Sequence, residues 1–370
     1  MTDIAFLLVS ASGGGAERAM IGVANRLVRS GLTIDLVLVR KTGPFLADVD
    51  PAIRIVDLGA GAVRRTLLPL NSYVNRARPQ LLVSALASTD PFALVGKALF
   101  RWKTKLHISV QNAPSASEGV SSDAFARRWP RMIRLLYRFA DSINAISQGV
   151  AHDVETIMGK PAGSIPVINN PVDIRMARDR AEEPSGIEWL AKKNVPVLLA
   201  VGRLIKQKDL PTLFHAFAQL RNGRKAKLVI LGEGPDRASL EALARELKIE
   251  SDILMPGFAA NPFAAMAAAD LFVLASRWEG FANVVAEALA CGTKVVSTDC
   301  PSGPAEILDD GRFGALVPVG DAAALAAALD VALDSKVDRD RLRTRAEAFS
   351  LDHIAESYLE LFRQRGLINP

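Results

Sequence analysis

Two carboxylates eight residues apart, Glu279 and Glu287, stand in the run Ser276-Arg277-Trp278-Glu279-Gly280-Phe281-Ala282-Asn283-Val284-Val285-Ala286-Glu287-Ala288-Leu289. Glu279 precedes, and Glu287 lies inside, a short segment from Val284 to Ala290 that reads as a helix ended by Cys291-Gly292. Apart from Glu287 that helix is apolar all round. A lone carboxylate there is costly to desolvate unless donors hydrogen-bond to it, and a sugar or ribose diol supplies such donors. A Glu that caps or pairs locally is the competing explanation. Asn283 fits an N-cap, but three residues later stands Ala286, so no capping box occupies Glu287. The helix start, near Ala282 to Val285, offers N–H groups to a phosphate.

A second chemical group is cationic. Gly202-Arg203-Leu204-Ile205-Lys206-Gln207-Lys208 leaves a strand just before a helix that begins near Asp209. Arg203 binds a diphosphate with a planar fork and Lys208 with a mobile point charge; a solvated basic loop is the alternative. Three more turns, Gly232-Glu233-Gly234, Pro256-Gly257-Phe258 and Pro301-Ser302-Gly303, read as ordinary loops or as close backbone approaches to a ligand. Near the N-terminus, Gly13, Gly14 and Gly15 separate a strand from a helix, an arrangement that suits phosphate and equally suits a plain tight turn. It is neither G-x-G-x-x-G nor a Walker loop, so a dinucleotide site and a P-loop are not supported.

The elements that must position these groups follow from the apolar pattern. In the first half, strands are expected at Ile4–Ser10, Leu32–Arg40, Ile53–Leu58, Gln80–Ala85, Lys105–Val110, Ser142–Ser147 and Ile165–Asn169, with a helix over Ala16–Ser30. Residues 175–194 are polar and aperiodic and read as an interdomain connection. Alternation then restarts: strands at Val197–Gly202, Lys227–Gly232, Ile253–Pro256, a nearly continuous apolar run over Ala268–Ser276, Lys294–Thr298 and Ala315–Pro318. Helices are expected at Leu210–Asn222, Pro235–Leu247, Ala322–Leu333 (N-cap Asp321) and His353–Arg365. The expectation is an α/β chain of two doubly wound Rossmann-like domains, 1–172 and 173–351, with a terminal helix at 352–366 packing back toward the first. Ligands gather at the carboxyl edges of such sheets and in clefts between domains.

Composition narrows the classes. The chain has 370 residues, 49% hydrophobic, ample for two cores. No apolar run approaches the roughly 20 residues that span a bilayer, and the start, Met1-Thr2-Asp3-Ile4, lacks a basic leader, so a cytoplasmic protein is expected. Cys291 and Cys300 are the only cysteines and read as reduced core thiols. The charge is uneven: +8 over residues 1–175 and −3 over the rest. The segment Arg127 to Phe139 interleaves cations with Trp129, Met132, Ile133, Leu136 and Tyr137. Past Pro130 it reads either as a helix lying on an anionic membrane surface or as an ordinary helix docked on its own domain.

Taken together, Glu279 and Glu287 in E-x7-E spacing, Gly202-Arg203 with Lys208, the Gly13–Gly15 loop and Asn170-Pro171-Val172-Asp173 resemble family 4 of the retaining glycosyltransferases, whose two-domain architecture is GT-B. The resemblance implies sugar transfer from a UDP- or GDP-sugar with retention and without a metal or other cofactor. By it, Glu279 holds donor-sugar hydroxyls, helped by the backbone of Gly280 and Phe281, and Glu287 binds the ribose diol. Arg203 and Lys208 neutralise the diphosphate, Gly14 and Gly15 admit the first domain over the phosphates, and backbone near Phe258 touches the base. Gly202 and the helix start at Ala282, Asn283 and Val284 complete the donor site. The acceptor implied is a growing glycan, on a polyprenyl diphosphate or another cell-surface precursor. Where many relatives carry a His near the donor sugar, this strand exits through Gln111 and Asn112, and His107 falls earlier, as a core histidine. Two other classes stay open: a nucleotide-sugar 2-epimerase of the same architecture, and a basic nucleic-acid-binding protein. The latter lacks a binding motif and an aromatic platform at 6% aromatics.

Overall fold

The structure, a computed structural model, describes residues 2–12, 14–115 and 124–369, with backbone alone for 124–128. It divides into two compact units, Met1–Pro171 with Leu351–Pro370, and Val172–Ser350.

Unit 1 runs β1 (Ile4–Leu8), α1 (Gly15–Val28), β2 (Ile34–Leu38), β3 (Arg54–Asp57), α2 (Leu67–Ala77), β4 (Leu81–Ser84), α3 (Asp90–Phe100), β5 (Lys105–Val110), α4 (Ala124–Leu136), β6 (Ser142–Ala145) and α5 (Gln148–Met158). Its parallel sheet has the order β3-β2-β1-β4-β5-β6. β1, β2 and β4 are buried at every position, as strands covered on both faces must be. The one charge in these three, Asp35, accepts from Thr2 (3.0 Å), Tyr73 (2.6 Å) and Arg54 (2.9 Å), which satisfies a carboxylate otherwise ruinous there.

Unit 2 runs α6 (Ile174–Ala181), α7 (Glu188–Ala191), β7 (Val197–Val201), α8 (Leu210–Gly223), β8 (Lys227–Leu231), α9 (Arg237–Glu246), β9 (Ile253–Gly257), α10 (Pro262–Ala268), β10 (Leu271–Leu274), α11 (Asn283–Ala290), β11 (Val295–Thr298), α12 (Pro304–Leu308), β12 (Ala315–Val317), α13 (Ala322–Asp334) and α14 (Arg339–Glu347). Its parallel sheet has the order β12-β11-β10-β7-β8-β9. β7 therefore lies between β8 and β10, and the loops leaving β7 and β10 become neighbours at the point where the strand order reverses. Asp321 caps α13 by accepting from the Ala324 N–H at 2.8 Å. The last helix, α15 (Leu351–Gln364), returns to unit 1, where Ile354, Tyr358, Leu361 and Phe362 join the core around α1.

Four expectations are corrected. Residues 175–194 are largely helical: α6 is capped by Asp173 (from Met176 N–H, 2.9 Å) and packs on α10 and α11. Only Ile174 and Ala177 of it are buried, too few to show a period. Ile165–Asn169 forms no strand but a single bridge, Ala145 to Val167, because Pro166 has no N–H for a ladder. The run Ala268–Ser276 is strand only over Leu271–Leu274, since Ala268 still belongs to α10. Finally, α4 runs through Pro130 rather than starting after it, with Trp129 and Ile133 buried, and Tyr137 buried in the 3-10 turn that follows it.

Candidate active site

The loop leaving β10 carries Glu279, which is only 7% exposed. Its Oε1 accepts from the Lys208 ammonium at 2.6 Å and from Ser276 Oγ at 2.6 Å. Lys208 comes from the loop after β7; its stem crosses Gly202, where an added Cβ would stand 3.1 Å from Lys208 Cε. The sequence reading sent Lys208 to the diphosphate and Glu279 to the sugar. The fold joins them in one ion pair. Cys300 borders this pair, and burial first, then the Glu279 charge, pushes its thiol up to about 12, leaving it inert.

Residues 279–282 are held from beneath. Glu279 N–H donates to the Pro301 carbonyl at 3.3 Å, and Thr298 Oγ1 donates to the Ser276 carbonyl at 2.6 Å. A Cβ on Gly303 (φ 97°) would fall 2.1 Å from the Phe281 carbonyl oxygen, so this close approach requires glycine. The Phe281 ring is buried against Phe349 at 5.3 Å, which leaves only its backbone, with that of Gly280, for a ligand. The expected cap at Asn283 is corrected: Ala282 is the N-cap, in the left-handed region at φ 68°, and Asn283 is the first helical residue. Asn283, Val284 and Glu287 form the half-buried stripe of α11, and the rest of the helix is buried.

At the adjoining strand ends, Gly202 N–H donates to the Leu231 carbonyl (2.9 Å), Leu204 N–H to Glu233 (2.9 Å) and Gly232 N–H to Gly257 (2.8 Å). These bonds extend the ladder past the sheet. A Cβ on Gly232 would lie 1.9 Å from the Gly202 carbonyl oxygen. A crevice lined by Gly202, Arg203, Lys208 and Ala275 opens here. Arg203 is exposed, and among the described residues no carboxylate pairs with it. Phe258 is 81% exposed at the end of β9.

In unit 1, Gly13 lies outside the described residues. Gly14 is the N-cap of α1 and Gly15 its first residue. The Glu17 carboxylate rests against Gly14, where a Cβ would meet its Oε2 at 2.0 Å, so the space read as a phosphate cradle holds a side chain of the chain itself. His107 is fully buried, as expected of a core histidine. Its Nε2 pairs with Asn144 Oδ1 at 2.9 Å, its ring edges onto Tyr358 and Phe362, and burial pushes its pKa down to about 4. Gln111 is buried, bonded to Ser109 (3.1 Å) and Asn170 (3.0 Å), whereas Asn112 is exposed.

Two family descriptions divide the chain: "Glycosyltransferase Family 4" matches residues 13–175 and "Glycosyl transferases group 1" matches residues 185–349. The chain is a family 4-like GT-B glycosyltransferase. Among its relatives, the N-acetylgalactosamine-N,N'-diacetylbacillosaminyl-diphospho-undecaprenol 4-alpha-N-acetylgalactosaminyltransferase of Campylobacter jejuni is 36% identical over 62% of this chain and 62% of its own length. The lipopolysaccharide core biosynthesis glycosyltransferase LpsE of Rhizobium meliloti is 28% identical over 95% of this chain and 96% of its own. Among solved structures, Anabaena HepE in complex with UDP and glucose superposes with a TM-score of 0.82 at 22% identity, covering 98% of this chain and 100% of that one.

In this glycosyltransferase, the sequence reading missed Ser276 as a partner of Glu279. The signal was present, a serine three residues upstream at a strand end. A hydroxyl of that kind is common in loops, so nothing in the sequence singled it out.

Proposed function

We propose that this glycosyltransferase moves a sugar from a UDP- or GDP-sugar to a polysaccharide precursor, with retention at the anomeric carbon and without a metal ion. The observation that carries the reading is the Glu279–Lys208–Ser276 cluster beside Gly202 and the exposed Arg203, at the switch point of unit 2. In this reading Arg203 and Lys208 meet the diphosphate, aided by N–H groups at the Ala282–Val284 start of α11. As the leaving group gains charge, these donors stabilise it; a single donor of this kind is worth roughly 3 kcal/mol. Glu279 holds donor-sugar hydroxyls with the backbone of Gly280 and Phe281, Glu287 the ribose diol, and backbone at Phe258 the base. Gly14 and Gly15 keep a part only if Glu17 swings away. Thermal shift with UDP, GDP and their sugars, then transfer assays in EDTA, test this. Glu287→Ala should lose donor binding and Lys208→Ala turnover; indifference to both sinks the site assignment.

The names of the relatives support a lipid-linked or lipopolysaccharide acceptor; we place the transfer at the cytoplasmic face of the membrane. Among the described residues no helix is long and apolar enough to cross a membrane. We place peripheral contact in 127–139, of which the side chains of Arg127 and Arg128 lie outside the described residues. Arg131, Arg134, Leu135 and Arg138 are exposed there, and Leu99 on the adjoining α3 is exposed too. Cations around bare leucines fit an anionic lipid surface. Sedimentation with phosphatidylglycerol vesicles should fall for Arg131→Glu with Arg134→Glu; unchanged binding overturns this contact.

A further inference from the structure

The loops bearing Lys208 and Glu279 are fastened to each other by a second set of contacts one or two residues away from each. Arg277 N–H donates to the Gln207 carbonyl at 2.8 Å, and the Gln207 amide donates to the Trp278 carbonyl at 2.9 Å. The Arg277 guanidinium forks onto Asp209, Nε to Oδ2 at 3.1 Å and Nη2 to Oδ1 at 3.2 Å. Asp209 is only 2% exposed, also accepts from Thr212 Oγ1 at 2.9 Å, and sits in the left-handed region at φ 44°. A residue other than glycine held there costs about 1 kcal/mol, which the surrounding contacts must offset.

Residues 207–209 and 277–279 thus alternate roles across two loops: 208 and 279 pair toward the crevice, while 207, 209, 277 and 278 pair away from it. We propose that Arg277, with Gln207 and Asp209, is a positioning latch for Lys208 and Glu279, fixing where the ammonium stands before any donor arrives. The Arg277 side chain remains 54% exposed and spends its guanidinium on Asp209. A lysine ammonium on a four-carbon stem is mobile, and a phosphate site gains when that freedom is removed in advance. This inference rests on the donor-site reading given above.

The test is UDP and GDP affinity by calorimetry in a double-mutant cycle. Arg277→Ala and the charge-neutral Gln207→Ala should each weaken binding of the nucleotide about tenfold; Gln207→Ala, which changes a half-buried neutral group, should keep a melting temperature near that of the wild type, whereas Arg277→Ala, which strips the buried Asp209 of its counter-charge, should melt lower. If the latch acts through Lys208, adding Arg277→Ala to Lys208→Ala should cost at most about twofold more. Arg277→Lys, which keeps charge but not the fork, should recover only part of the loss. Full additivity with Lys208→Ala, or wild-type affinity in both Arg277→Ala and Gln207→Ala, overturns the latch while leaving the donor site standing. No binding of either nucleotide to the wild type, or no effect of Lys208→Ala itself, overturns the donor-site reading and the latch with it.

Discussion

Replacing Glu279 by Gln should tighten binding of the free nucleoside diphosphate while slowing sugar transfer. The Lys208 ammonium lies 2.6 Å from a nearly buried carboxylate, so in the empty site its charge is already compensated. A diphosphate that takes up Lys208 comes within about 5–6 Å of the Glu279 charge, and at an effective dielectric of 20 two unit charges that far apart repel by about 3 kcal/mol. Counterions and solvent in the open crevice reduce this to about 1–2 kcal/mol, or roughly tenfold in Kd. Gln keeps the shape and an oxygen for Ser276 and Lys208, so packing should survive. The transferred sugar, by contrast, loses hydrogen bonds to a charged group, worth about 1.5–3 kcal/mol, and kcat should fall by roughly tenfold to a hundredfold. Calorimetry with UDP and GDP, set beside transfer rates at saturating donor, reads both halves. Nucleotide affinity that is unchanged or weaker in a folded Glu279→Gln protein refutes the claim that Glu279 and the diphosphate compete for Lys208.

Three further outcomes follow from local geometry. Ala282→Gly should raise unfolding stability by up to about 1 kcal/mol, because a Cβ is strained at φ 68°; a loss of stability in urea titration would count against that backbone. Gly232→Ala should destabilise unit 2 by more than about 2 kcal/mol, since its Cβ would meet the Gly202 carbonyl at 1.9 Å, and wild-type stability would contradict the packing of these strand ends. Asp90 is fully buried against Ser84 (2.6 Å) and Tyr137 (3.2 Å), and burial pushes its pKa up to about 7. Its raised value means that the stability of the protonated form is fully present below the ordinary value near 4 and is lost as pH rises through 7. Asp90→Asn should therefore gain stability relative to the wild type between pH 5 and pH 8, by a few kcal/mol at most. A pH-independent difference in denaturant midpoints would exclude the buried acid as its source.

What the sequence determined by itself is the alternation of apolar strands with helices, hence two parallel sheets, and the identity of the residues that cluster at strand ends. That information is local. Burial on both faces writes itself as continuous apolar runs, and glycines mark where backbone must come close, as at Gly232 and Gly303. Helix α6 escaped because two buried residues make no period, and the Gly14 loop stays open to two readings because a glycine says only that space is needed, not whether Glu17 or a phosphate uses it. The tertiary structure decided everything that depends on strand order. Lys208 and Glu279 are 71 residues apart in sequence, and no periodicity relates them. They meet because β7 pairs with β10, which sets their exit loops side by side. The same pairing brings Arg277 to Asp209. Residue types are a matter of sequence, but the pairing of charges across two loops is a matter of which strands lie next to each other.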